Sequence, residues 1–337
     1  MTVPRDAAAE SAAPPLGGHE LQVTCLVVAT RACGDMGTRV VSGSRDGSLR
    51  VWDVDGGTPV AALQADGAAV LALTVIRGDD GGRGAGVVSV SDRRVRVWDL
   101  SSMSEVDTFP TDCVRSVVTV GGNASGRGTQ VVCGAYDKTV RVWDVDQRKE
   151  VAVLTGHTAS VLCLAVVNDG VDGGRVLVAS GSDDGTVRVW DITSGSTVAV
   201  LPDLGRVTCL ATVSDGVGPC LCGSSRASSF AWDTTTWAPI WTRVHQQSGW
   251  RRVFSAPPSK AGAAATAGAA DPGGETLFTR RCMAVAVRLN GQCVTIDLAD
   301  GSEEVLPGPD ANAACIPASD IVALGTDGGD VLFGRIH

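Results

Sequence analysis

The 337 residues are 44% hydrophobic, ample for a core, with a formal charge of −9 and a pI near 4.9. An acidic balance with only three lysines, Lys138, Lys149 and Lys260, argues against a general binder of nucleic acid or of anionic membrane. No run approaches the 18 apolar residues that a membrane-spanning helix needs.

Along the chain, Met1–Glu10 has no apolar signal core, and residues 1–11 are expected to be disordered. Val-Trp-Asp then recurs at Val51–Asp53, Val97–Asp99, Val142–Asp144 and Val189–Asp191, with Ala231–Asp233 as a degenerate fifth copy. The tryptophans stand 46, 45, 47 and 42 residues apart. A fixed period of that size signals an array of similar supersecondary units. An aspartate six residues before the tryptophan accompanies the first four copies, at Asp46, Asp92, Asp137 and Asp184, and Arg226 takes that place in the fifth. Asn290-Gly291 before Ile296 and Asp327-Gly328 before Phe333 keep the spacing without the tryptophan, which makes seven third strands.

The fourth copy shows the unit most clearly. Val161–Val167 reads as a first strand, Arg175–Gly181 as a second, Thr186–Asp191 as a third and Thr197–Leu201 as a fourth. Asp184-Gly185 supplies the tight turn, where glycine tolerates a positive φ. Such a four-stranded sheet leaves both apolar faces wet unless neighbouring copies stack on it and the stack closes. Gly78–Gly86 is expected to be a flexible turn in the second copy, with a metal contact at Asp79 and Asp80 the weaker reading. Asn123-Ala124-Ser125 matches a glycosylation acceptor but has no secretory context. Residues 257–274 are low in complexity and are expected to form a disordered insert in the sixth unit.

The Gly-His start (Gly18-His19, Gly156-His157), the Asp-Gly turn and the Trp-Asp end resemble the WD-repeat, or β-transducin-like, family. The resemblance implies an all-β, seven-bladed β-propeller of four-stranded antiparallel blades over residues 12–337. Its ring would be closed by N-terminal residues near Ala12–Leu16 completing the last blade, although Pro14 and Pro15 make a poor strand. It also implies a hydrogen-bonded brace in two copies, His19, Ser42, Asp46, Trp52 and His157, Ser180, Asp184, Trp190. Those histidines are then structural, because a buried carboxylate and a buried indole N–H each need a partner.

Eleven cysteines read as reduced packing residues of the cytosol or nucleus. Cys25, Cys163, Cys209 and Cys315 hold one repeat position where Ala72 and Ser116 stand in other copies, and Cys220 and Cys222 lack a second pair at zinc spacing. No hydrolase, metalloprotease or phosphate-loop motif occurs, so no catalytic, metal or cofactor residue is nominated. By resemblance, the residue before each turn aspartate and those flanking the first core valine face a partner. They include Arg45, Ser91, Tyr136, Asp183 and Ser225, with Thr24, Leu162, Arg115, Arg206 and Thr208. Several arginines there would suit an acidic or phosphorylated peptide, and ordinary solvated arginines are the alternative. Arg50, Arg96, Arg141 and Arg188, two residues before each tryptophan, are expected to lay their stems along blade surfaces.

The expected function is therefore a non-catalytic scaffold or adaptor that binds a protein or peptide partner on the propeller face, as a monomer within a larger complex. A substrate receptor of a ubiquitin ligase is the runner-up, weakened because Asp55, Ser101, Asp146, Thr193 and Thr235 stand where such receptors carry arginine. A G-protein β-like subunit would need a long N-terminal helix, and a propeller enzyme would need an acid–base set.

Overall fold

The computed structural model describes residues 18–29, 38–54, 58–64, 67–76, 86–111, 113–122, 127–169, 175–202, 204–214, 219–225 and 228–244, and the later strands from 250 to 335. Side chains are described within residues 18–242. The expected strand at Ala12–Leu16, the N-terminal disorder, the insert at 257–274 and the turn at 78–85 lie outside the described residues.

Every described element is a β-strand. Blade one holds β1 (Val23–Ala29), β2 (Arg39–Ser44), β3 (Ser48–Asp53) and β4 (Pro59–Gln64). Blade two holds β5 (Ala72–Ile76), β6 (Gly86–Val90), β7 (Arg94–Asp99) and β8 (Ser104–Pro110). Blade three holds β9 (Val114–Gly122), β10 (Arg127–Ala135), β11 (Val140–Asp144) and β12 (Lys149–Leu154). Blade four holds β13 (Val161–Asp169), β14 (Val176–Ser182), β15 (Val187–Asp191) and β16 (Ser196–Leu201). Blade five holds β17 (Val207–Ser214), β18 (Pro219–Ser225), β19 (Ser228–Asp233) and β20 (Pro239–Val244). A further four-stranded sheet follows, β21 (Trp250–Ser255), β22 (Met283–Arg288), β23 (Cys293–Asp297) and β24 (Glu303–Val305). The last sheet has three strands, β25 (Ala313–Ala318), β26 (Ile321–Gly325) and β27 (Val331–Arg335). Ile296 and Phe333 sit in third strands of their sheets, as the spacing predicts. In each sheet consecutive strands pair antiparallel, and β1 lies against β25 and β26.

The alternation of the third strands sets what is buried. Val187 and Val189 go fully inside while Trp190 turns to the other face of the sheet, also buried. The Asp-Gly turns take the left-handed backbone that glycine allows, with φ of 81° at Gly47 and 83° at Gly185.

Most of the described core is shared between neighbouring blades, although Val23, Leu26, Val40, Trp52 and Val54 cluster within blade one. One cluster joins Val41, Val51 and Leu63 of blade one to Leu73, Val87 and Trp98 of blade two. A second joins Val88, Val97 and Phe109 to Val117, Val131 and Cys133 of blade three. The same sharing links blades three and four, and four and five. Burial of this kind rewards only neighbours in place together.

Glycines in the second strands permit the closest approach between blades. A Cβ added at Gly43 would meet Val70 Cγ1 at 2.6 Å, at Gly134 Val161 Cγ1 at 2.7 Å, and at Gly181 Val207 Cγ1 at 2.5 Å. Each valine opens the next blade, so the glycine–valine contact is the recurring seam.

A feature that the period did not reveal is a bulge at the start of the first strand. The register skips one residue between Val23 and Cys25, between Val161 and Cys163, and between Val207 and Cys209. The same slip sets Arg115 apart between Val114 and Ser116. The extra residue is unpaired and the strand is re-aimed, which brings both the valine and the cysteine inward.

Candidate functional site

The bulge and the turn between second and third strands open on the same end of the blades. Their main chains are tied together, because Arg45 N–H donates to Gln22 O, Tyr136 N–H to Cys113 O and Asp183 N–H to Ser160 O, each at 3.0 Å. Behind this end stands the brace.

In blade four the brace is a complete relay. Trp190 Nε1–H donates to Ser180 Oγ at 2.7 Å, and the Ser180 hydroxyl donates to His157 Nε2 at 2.7 Å. His157 Nδ1–H then donates to Asp184 Oδ2 at 2.8 Å. The indole only donates, the carboxylate only accepts, and the hydroxyl and a neutral imidazole do one of each, so this order satisfies all four. Asp184 also accepts from Thr158 N–H and from Thr186 N–H and Oγ1–H, which fixes the turn. Blade one repeats the pattern. Trp52 donates to Ser42 at 2.8 Å, Ser42 to His19 Nε2 at 2.7 Å, and His19 Nδ1–H is shared between Asp46 Oδ2 at 3.2 Å and Ser48 Oγ at 2.9 Å.

A Ser–His–Asp chain is thus present, although no spacing argument proposes one. It is not placed for nucleophilic attack, since Ser42 and Ser180 are fully buried and their hydroxyl protons are committed to the imidazoles.

Burial lowers the pKa of His157 from 6.5, outweighing the hydrogen bond and charge of Asp184 that pull it up, and His19 behaves alike beside Asp46. Burial alone would raise the Asp184 carboxyl, but the bonds from Thr186, Thr158 and His157 hold it well below the ordinary carboxylate range; Asp46 is lowered likewise. All four groups therefore have folded pKa values below their unfolded ones, so the unfolded chain binds more protons wherever they titrate and stability is lost as pH falls. The melting temperature should decline on acidification in two stages. The first begins as pH passes down through the ordinary histidine value of 6.5, the second below the ordinary aspartate value of 3.8. Calorimetry across that range checks this, and a melting temperature flat through the histidine range would show imidazoles that take up protons as readily in the fold as in the unfolded chain.

The middle blades depart from the pattern. In blade two Trp98 Nε1–H donates to Ser89 at 2.8 Å, with no histidine behind it among the described residues. In blade three Cys133 stands where Ser42 and Ser180 stand, opposite the third-strand arginine. Trp143 Nε1 has no partner among the described residues, and burial pushes the Cys133 thiol up to about 12. Arg141 does the histidine's work on the turn, donating to Asp137 Oδ2 at 2.7 Å while its other amino group reaches Glu150 at 3.0 Å. Cys133→Ser should therefore stabilise the fold by about 0.5–1.5 kcal/mol, since the new hydroxyl accepts from Trp143 and, with no imidazole to take its proton, donates to Arg141 O, whose counterpart Arg188 O lies 3.4 Å from Ser180 Oγ. Urea titration measures it; a loss of stability would mean that the hydroxyl is left unpaired there.

The arginines before the tryptophans are less uniform than surface stems. Arg188 lies over Trp190, its Cζ 6.0 Å from the ring. Arg96 is buried and pairs with Glu105 at 3.1 Å, and Arg141 is held between two carboxylates.

On the open end, Arg45, Arg115 and Tyr136 extend exposed side chains, and neither arginine makes an ion pair among the described residues. Arg206 and Asp183, nominated separately, bind each other at 2.6 Å, so their charges largely cancel. Thr24 is the bulge residue and turns inward, its hydroxyl within reach of Val70 O at 2.5 Å and Gly43 O at 3.0 Å. Thr208 does likewise toward Ser224 O at 3.2 Å, and Leu162 is half-buried. Ser91 and Ser225 are buried, so the expectation that they face a partner is corrected: a small side chain at the pre-turn position folds back onto the turn, as Ser225 does to Ser228 O at 3.2 Å.

A family model described as WD domain, G-beta repeat matches residues 14–53, 104–144 and 148–191. The WD repeat-containing protein VIP3 of Arabidopsis thaliana is 30% identical over 159 residues, 44% of this chain and 46% of that protein. The DENN domain and WD repeat-containing protein SCD1 of the same plant is 28% identical over 148 residues, 43% of this chain and 11% of that protein. The match spans less than half the length of either relative. Among solved structures, U3-55K superposes with a TM-score of 0.67 at 17% identity, covering 93% of this chain and 90% of that one. The WD40 repeats of RRP9 give 0.67 at 17% identity, over 93% and 89%. At that identity the likeness is one of fold.

Proposed function

We propose, from the premise that this chain is a WD-repeat protein with the propeller fold, that it is a non-catalytic scaffold. Proteins of this kind generally act as platforms for protein interaction. In this reading a protein or peptide partner docks on the end where the bulges and turns open, within a larger cytoplasmic or nuclear assembly.

The observation that carries the reading is the contrast between a pinned main chain and free side chains at Arg45, Arg115 and Tyr136. A rigid frame presenting exposed guanidinium and phenol groups loses little entropy on binding. Two cations without an ion pair among the described residues, in an acidic chain, favour an acidic or phosphorylated peptide segment. The pairing of Arg206 with Asp183 leaves Arg45 and Arg115 of the three nominated arginines.

The test is affinity purification of the tagged chain from its own cells, beside the Arg45→Ala, Arg115→Ala, Tyr136→Ala triple variant. A stoichiometric partner lost in the variant, with binding that weakens as salt rises, is the expected result. Partners retained equally by both would move the site to another surface, and no partner in either would overturn the scaffold reading.

A further inference from the structure

Blade three lacks both interior members of the brace. Pro110 stands four residues before Val114, where His19 and His157 stand before Val23 and Val161, and Cys133 replaces the serine. What remains is a cleft of about 800 Å³ between blades two and three, bordered by Arg93, Thr111, Tyr136, Arg141, Trp143 and Glu150.

Three polar atoms of its walls have no hydrogen-bond partner among the described residues: Trp143 Nε1, Arg141 Nε and Thr111 Oγ1. Thr111 is only 8% exposed, so its hydroxyl has no solvent to turn to. Buried polar groups in folded proteins are nearly always paired, and three orphans on one cleft mark a place where an occupant would regain what the empty state forgoes.

The charges of the lining choose the kind of occupant. Asp92 and Glu150 balance Arg93 and Arg141, and the Arg141 amino groups are already taken by Asp137 and Glu150. A charged ligand would find no net counter-charge. The orphans ask instead for an acceptor facing the indole N–H and a group that pairs with a hydroxyl. Phe109 packs beside the Trp143 ring at 5.7 Å, so the surroundings suit something flat. In blade four an imidazole lies edge-on to the equivalent tryptophan at 6.1 Å.

We propose that this cleft receives an uncharged planar side chain from a partner peptide, with one acceptor and one donor as neutral imidazole has, its acceptor on Trp143 Nε1–H and its donor on Thr111 Oγ1. The three wall atoms are sealed from water in the empty cleft, so the entering group displaces the side chains that cover them. Tyr136 borders this cleft and also stands on the docking end, which makes the cleft an extension of that surface. The proposal rests on the scaffold reading for the peptide that bears the side chain; the affinity of the cleft for the side chain itself does not.

The experiment uses the full chain labelled with nitrogen-15 at tryptophan, with the Trp143 indole signal assigned through Trp143→Phe, or through nuclear Overhauser contacts to Phe109 if that variant fails to fold. Imidazole is titrated well above its pKa, beside acetate and methylammonium as charged probes. The Trp143 signal should move saturably with imidazole, at about millimolar concentration given so few atoms. The signals of Trp52, Trp98 and Trp190 and the response to the charged probes should stay flat. Thr111→Val should weaken the response about 3- to 10-fold, as loss of one hydrogen bond does. A Trp143 signal that does not move, that moves equally with acetate, or that is indifferent to Thr111→Val overturns the proposal. Such a failure leaves the scaffold reading to the purification experiment, which needs no occupancy of the cleft.

Discussion

Ser180→Ala should lower the unfolding free energy by about 2–4 kcal/mol, and Ser89→Ala by about half as much. The difference follows from what each hydroxyl serves. Ser180 accepts from Trp190 and donates to His157, so its loss orphans two buried groups in a place without solvent. Ser89 accepts from Trp98 and has no histidine behind it. Both substitutions remove the same single oxygen from a buried strand, so packing losses are similar and the ratio isolates the relay. Urea unfolding of the two variants beside the parent measures it. Equal losses would show that His157 draws nothing from Ser180, and that the brace is only a chain of near contacts.

Gly181→Ala should cost a further class of energy, about 2–4 kcal/mol, through overpacking rather than lost bonds. Its Cβ would come within 2.5 Å of Val207 Cγ1, 2.6 Å of Cys163 Sγ and 3.0 Å of Val207 Cβ. None of these is the end of a flexible side chain, because a β-branched valine has one comfortable rotamer and Cys163 is held in the bulge. The backbones of two blades must part. Val207→Ala removes the branch in the way, so the double variant should be less destabilised than the two single losses together, by at least about 0.5 kcal/mol. Strict additivity would show that the seam yields elsewhere.

The sequence made the repeat legible because the tryptophan and the turn aspartate are chemically rare and evenly spaced. Everything tied to that spacing could be read, namely the third strands at Trp52 through Phe333 and the turns at Gly47 and Gly185, while the two braces followed from the family resemblance. The bulges could not, because a bulge adds a residue without changing the apolar pattern, and so Thr24 was expected to face outward. The pairing of Arg206 with Asp183 joins residues of different blades, which no period within one copy reveals. The cleft was visible in principle. Pro110 and Cys133 sit at brace positions in the third copy, but its Asp137-to-Trp143 spacing is intact, so the period alone does not distinguish that copy from its neighbours.

The packing of β1 against β25 and β26 has a consequence in time rather than energy. About 290 residues separate Val23 from Ala313. At a synthesis rate of about 5–20 residues per second, the first blade leaves the ribosome roughly 15–60 s before the strands that cover its flank exist. For that interval its first strand lacks the β25 and β26 neighbours that pack against it. The nascent chain is therefore most open to chaperones, and to mispairing with a second copy on the same messenger RNA, before its last sheet emerges.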